Sequence, residues 1–197
     1  MQQEKSREAI LNHLEQKAGD YEELYGSCAQ GTLLALQEEF QIGDAQTLKA
    51  ATAMPGIALR GETCGAVMGA IMALGIALGR EKHDDLKAVR RTTSAARKLC
   101  KRFEEEFGSC NCHDVQHRIF GRSFNLADPN ELMEFAAADA AKKCRAPAQR
   151  AARIAGELIL DGREKTCGHE EQLNRNFAET PYFLPTGQTG MQTPQIS

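Results

Sequence analysis

Apolar residues recur at three- and four-residue spacing along most of this chain, while runs of alternating β-branched residues are absent and valines number only three. Glycines and prolines fall mostly between the periodic stretches, so the pattern predicts an all-α protein. The first helix is expected over roughly residues 4 to 24. A second begins near Ser27, whose hydroxyl is placed to cap CAQGTLLALQEEF. Asp44 is the expected cap of AQTLKAATAM, and Met54-Pro55-Gly56 breaks the chain after it.

The next segment, RGETCGAVMGAIMALGIALGR at 60 to 80, has no polar side chain between Cys64 and Arg80. From Cys64 to Gly79 it is shorter than the roughly 20 apolar residues that cross a bilayer, so it reads as a buried helix and not a membrane span. Gly61, Gly65 and Gly69, continued by Ala73 and Ala77, place a small residue at every fourth position. Each glycine inside a helix costs about 1 kcal/mol against alanine, and close helix packing at the centre of the fold is the compensation expected.

A long amphipathic helix follows, with Leu86, Val89, Thr93, Ala96, Cys100, Phe103 and Phe107 on its apolar stripe. A short helix starts near Asn111, and another at Asp128-Pro129-Asn130-Glu131, where cap, first-turn proline and third-position acid coincide. The last begins near Pro147 and turns Ala151, Ile154, Leu158 and Ile159 toward a core. The expected architecture is a single-domain helical bundle over 1–162 around a central glycine-rich buried helix, with 163–197 as an extended or poorly ordered tail.

Composition sharpens this picture in two ways. The 197 residues are 42% hydrophobic and 26% charged with a formal charge of −3, which argues against nucleic acid as a partner. The N-terminus MQQEKSREAI lacks the apolar core of a secretory signal, so the expected location is cytoplasmic. Seven cysteines, at 28, 64, 100, 110, 112, 144 and 167, then stand out. In a reducing compartment they are metal ligands, redox thiols or small core residues more often than structural disulfides, and their odd number leaves at least one unpaired.

Cys28, Cys64 and Cys112 each fall at an expected helix start, where the dipole and unpaired N–H groups favour thiolate. Cys144 is flanked by Lys142, Lys143 and Arg145, which offer the same stabilisation. Around these cysteines the chain resembles the redox-active proteins named for a C…GCAxxG…C…C pattern, relatives of split-Soret cytochromes c. The stretches that carry the resemblance are YGSCAQGTLLAL, RGETCGAVMGAIMALG, FEEEFGSCNCHDV and AAKKCRAPAQRAARIAGELIL, spanning about residues 20 to 160. The resemblance implies a compact helical protein with four spaced cysteines, a redox or metal role and homodimerisation. This chain departs from the pattern in having Thr63, not glycine, directly before Cys64. No Cys-x-x-Cys-His occurs, so haem c is not supported.

If Cys28, Cys64, Cys112 and Cys144 converge, they provide the four thiolates of an iron–sulfur cluster or a tetrahedral zinc; the absence of paired CxxC knuckles favours the cluster. Two rival readings stand beside it: a reversible disulfide between two of the four, and cysteine as a small buried hydrophobe. Cys110 is close enough in sequence to join Cys112 as a ligand, and His113 and His117, at i and i+4, face one side of a helix beside it. The plainer expectation for both histidines is solvent, as it is for His13, His83 and His169. Cys100 reads as core filler and Cys167 as an exposed thiol.

The basic side of the long helix, Arg90 to Arg102, reads as a solvated face. Phosphate-loop, HExxH and nucleophile-turn motifs are missing. The expected function is a small redox or electron-transfer accessory protein, working with a redox protein partner, with a cysteine-ligated centre; enzymatic turnover is left open. A metal-binding or metal-sensing module is the alternative.

Overall fold

Ser6 opens α1 (Arg7–Tyr25) by accepting the Ala9 N–H on its hydroxyl at 3.2 Å, and Gly26, left-handed at φ 60°, ends it. This computed structural model describes residues 6–168, with side chains to residue 163. The elements that follow are α2 (Cys28–Phe40), α3 (Ala45–Ala50), α4 (Gly56–Leu59), α5 (Gly65–Leu78), α6 (Leu86–Phe107), α7 (Cys112–Phe120), α8 (Pro129–Ala137), α9 (Ala140–Lys143) and α10 (Arg145–Gly168). The protein is all-α, as its periodicity predicts. The described residues include no strand, only an antiparallel bridge between Thr63 and Asn111.

The expected caps hold at Asp44, which accepts the Thr47 N–H at 2.8 Å, and at Asp128, which accepts from Asn130 and Glu131. Ser27 occupies the cap position of α2 but its hydroxyl bonds to the Gln30 side chain instead of a backbone N–H. Helix α10 begins at Arg145 and continues to Gly168, past Asp161 where the apolar periodicity fades. Residues 169–197, most of the expected tail, lie outside the described residues.

The core forms where α10 lies against α1, α2, α5 and α6, and α5 lies against α2, α6 and α10. Leu14, Leu33, Leu36, Leu74, Leu99, Phe103, Ile154 and Ile159 are fully buried there. The glycines of α5 set how close α2 comes. A Cβ at Gly69 would stand 2.2 Å from the Ala29 carbonyl oxygen, so the two helices touch backbone to backbone. This is the close packing that offsets their helix cost. Gly61 takes no part: it lies before the helix, in a left-handed turn at φ 79°.

Helix α6 corrects the predicted stripe. Its buried face is Ala88, Ala95, Leu99, Phe103 and Phe107, while Leu86 is 47% exposed and Val89 only part-buried. The N-terminal half of the helix buries alanines, small residues that allow a nearer approach, while Phe103 and Phe107 are buried as expected. Among the described residues no helix is long and apolar enough to cross a membrane.

Candidate thiol site

Four short-range features bring the signature cysteines to one end of the bundle. Cys28 is the first residue of α2, and its sulfur rests on the bare Cα of Gly65, where a Cβ would come within 2.4 Å of it. Cys64 is the N-cap of α5 and only 5% exposed. The segment before it is strapped to the start of α7: the Cys64 N–H donates to the Cys110 carbonyl at 2.8 Å, the Cys112 N–H to Glu62 at 2.6 Å, and the His113 N–H to Gly61 at 3.0 Å. Cys112 therefore opens α7 beside Cys64, and its sulfur accepts from the buried Gln116 amide at 3.3 Å. Cys144 is the C-cap of α9, at its junction with α10.

Arg145 fixes that junction to α1 by bonding Asp20 at 2.8 Å and, more tightly, Glu23. With Asp20 and Glu23 turned to Arg145, Glu22 faces inward. It is 5% exposed, and its Oε2 has no hydrogen-bond partner. Nothing in the charged run around it marks it as the buried carboxylate, and sequence reasoning passed over it.

The electrostatics of the cluster are those of acids crowded together. The Cys28 and Cys64 thiols share a hydrogen bond, which holds Cys64 below the ordinary thiol range and Cys28 well above it. The Ala66 and Val67 N–H groups at the start of α5 also favour thiolate on Cys64, although none closes a conventional capping bond on it. Burial, then the Cys64 charge, push Cys112 up to about 12 and Glu22 up to about 8. Cys144 is raised by burial and by Glu22, Cys64 and Cys112.

Of the helix-start thiols, only Cys64 thus has the expected low pKa. At Cys28 and Cys112 neighbouring negative charge and desolvation outweigh the helix dipole. Two of the three cations expected to help Cys144 are engaged elsewhere: Arg145 with Asp20 and Glu23, and Lys143 over the Phe120 ring.

The remaining candidates separate from this cluster. Cys100 packs against the core as expected, and Cys110 lies beside it, its sulfur 3.7 Å from the Cys100 carbonyl oxygen. The hydrogen bond from Cys110 holds the Cys100 thiol down at about 7, while Cys110 is raised. His113 and His117 are both exposed, as the plainer expectation has it. The Cys167 side chain and His169 lie outside the described residues.

The six described cysteines are all free thiols. Among the described residues no three Cys, His, Asp or Glu side chains are grouped so as to hold one metal ion. The signature four share a neighbourhood in which each feels another's charge or hydrogen bond, and Cys28 and Cys64 perturb each other most.

A family model described as "Putative redox-active protein (C_GCAxxG_C_C)" matches residues 26–158, more than half of the chain and all four of these cysteines. Neither a curated protein nor a solved structure matches it.

Proposed function

Because the chain belongs to the C_GCAxxG_C_C family of redox-active proteins, we propose that it exchanges electron pairs through a Cys28–Cys64 dithiol, with Glu22, Cys112 and Cys144 as its surroundings. The observation that carries this reading is that Cys28 opens α2 with its sulfur against the bare Cα of Gly65, the residue that follows the Cys64 N-cap of α5; the neighbouring thiols split in acidity, Cys64 lowered and Cys28 raised. Within the pair thiolate is favoured on Cys64 and thiol on Cys28. Cys64 is buried and Cys28 more open, so transfer of the Cys28 proton to Cys64 exposes a thiolate on Cys28.

That thiolate attacks one sulfur of a partner disulfide and expels the other as thiolate. The departing thiolate takes the proton from Cys64, whose sulfur then attacks Cys28 and releases the second partner thiolate. One Cys28 thiol, one Cys64 thiolate and one partner disulfide become one Cys28–Cys64 disulfide, one partner thiol and one partner thiolate. Two electrons pass to the partner. The reverse sequence reduces the protein.

Titration in glutathione redox buffers under anaerobic conditions, followed by alkylation and peptide mapping, tests this. Cys28 and Cys64 are expected to become resistant to alkylation together, in a single two-electron step. In Cys28→Ser, Cys64 is expected to stay alkylatable. Independent titration of the two sulfurs overturns the reading.

A second reading, an iron–sulfur or zinc centre on Cys28, Cys64, Cys112 and Cys144, draws on a different observation. Every group that perturbs these thiols is an acid or a hydrogen-bond donor, and no lysine or arginine compensates them. Four soft donors around an unsatisfied carboxylate suit a soft cation by type. They do not suit it by position, since no three are grouped about one point. Purification under anaerobic conditions with metal and sulfide analysis separates the outcomes: broad visible absorbance with iron and sulfide favours a cluster, colourless zinc-loaded protein a metal-binding module, and metal-free protein with an exchangeable disulfide the dithiol.

A further inference from the structure

Two of the cysteines near the thiol site are not among its four, and the fold brings them together by a separate device. Cys100 lies in the C-terminal half of α6. Gly108, left-handed at φ 81° with its N–H on the Glu104 carbonyl, ends that helix and turns the chain back. The return is pinned by Ser109, whose hydroxyl accepts the Asn111 N–H at 3.0 Å and donates to Asp114 at 2.7 Å.

Cys110 is thereby carried onto the flank of α6, where its thiol reaches the Cys100 carbonyl and the Cys100 sulfur. Both cysteines are part-buried, neither sealed in the core. Cys112, two residues on, belongs to a different environment: its sulfur is held by Gln116, and its Cβ lies beside Gly56.

We propose that Cys100 and Cys110 form a second redox site, one that closes to a disulfide by exchange with a low-molecular-weight disulfide. One of the two sulfurs, as thiolate, attacks the small disulfide and releases its first half as a thiolate. The other cysteine gives its proton to that thiolate and attacks the mixed disulfide, releasing the second half. One protein thiolate, one protein thiol and one small disulfide become one protein disulfide, one small thiol and one small thiolate, with the two electrons leaving on the small molecules.

The site also touches the first. The Cys110 carbonyl accepts the Cys64 N–H, so a bond from Cys110 to α6 tethers the backbone that holds Cys64 in place. Oxidation of the outer pair is therefore expected to alter the rate at which Cys64 is alkylated.

The test is disulfide mapping by mass spectrometry of the intact chain equilibrated with reduced and oxidised glutathione. A Cys100–Cys110 cross-link is expected in the wild type and equally in a Cys28→Ser, Cys64→Ser double variant, which keeps this proposal independent of the dithiol reading above. In Cys110→Ser the cross-link is expected to vanish and a glutathione adduct to accumulate on Cys100. Circular dichroism confirms that each variant keeps its helices, and Cys100→Ala, with the adduct moving to Cys110, serves if Cys110→Ser does not fold. Cross-linking of Cys110 to Cys64 or Cys112 overturns the proposal. So does full alkylation of both cysteines in the most oxidising buffer.

Discussion

Helices α1 and α10 meet along one seam, and its two sides treat charge in opposite ways. On the outer side Arg153 is bonded at once to Glu8, Glu15, Glu157 and Asn12, and Arg7 reaches Asp161. Its guanidinium is held above its ordinary range, first by the hydrogen bond to Glu8. Where α1 turns inward, Glu22 faces the thiols with no cation, and burial drives its carboxyl up instead of down. The same residue type, on the same helix, is paired with an arginine on one side and uncompensated on the other. Paired acids hold helices together, whereas an unpaired buried acid costs stability and is retained for chemistry or for a cation.

The sharpest way to break this contrast is to remove the uncompensated charge. Glu22 titrates near 4.5 in an unfolded chain and at about 8 in the fold, so the folded state binds the extra proton across that window. Stability is fully present below pH 4.5 and is lost as pH rises through 8. Glu22→Gln is expected to be more stable than wild type at pH 9 by on the order of 4 kcal/mol, the two converging at pH 4. Urea unfolding midpoints across that range measure it, and a wild-type profile flat from pH 5 to 9 would sink the argument.

Gly65→Ala attacks the sulfur pair itself. Its Cβ would meet the Cys28 sulfur and, at 2.9 Å, the Pro55 Cα, so a loss of about 3 kcal/mol is expected, with Cys28 and Cys64 titrating separately afterwards. Gly75→Ala on the same helix meets nothing within 4 Å and should stabilise by up to about 1 kcal/mol. Chemical denaturation distinguishes the two signs directly.

On the paired side the effects shrink. Arg153→Met is expected to cost about 1–2 kcal/mol, because its partners are part-exposed and water takes them back. The difference from wild type should narrow in 1 M salt, read from thermal midpoints. His113→Ala and His117→Ala, both solvent-facing, should stay within about 0.5 kcal/mol and leave Cys64 alkylation unchanged.

Helix identity, the Asp44 and Asp128 caps and the buried glycine helix were legible from spacing alone, because each depends on residues within a turn or two of one another. The signature cysteines were legible as candidates for the same reason. Their protonation was not: dipole reasoning sees one helix, while Cys28 is raised first by its Cys64 neighbour and then by burial, and Cys112 first by burial and then by the Cys64 charge. Glu22 was invisible because Asp20, Glu22 and Glu23 are equivalent in a list of residues. Only the register of α1 against Arg145 turns one of them inward. The α6 stripe was right at Phe103 and Phe107 but one position off before them, where Val89 looks more hydrophobic than the buried Ala88. The Cys100–Cys110 contact needed the direction of the turn at Gly108.

The clamp of Arg145 on Asp20 and Glu23 also sets an order of assembly. It joins residues more than 120 positions apart, among the longest sequence separations in the described fold. Such contacts carry the greatest loop-closure cost and are made after local ones. On a growing chain the sulfurs of Cys28 and Cys64 can meet once α5 docks on α2, long before Cys144 and α10 have been synthesised. Through that interval the nascent thiol pair exists without the clamp that turns Glu22 toward it.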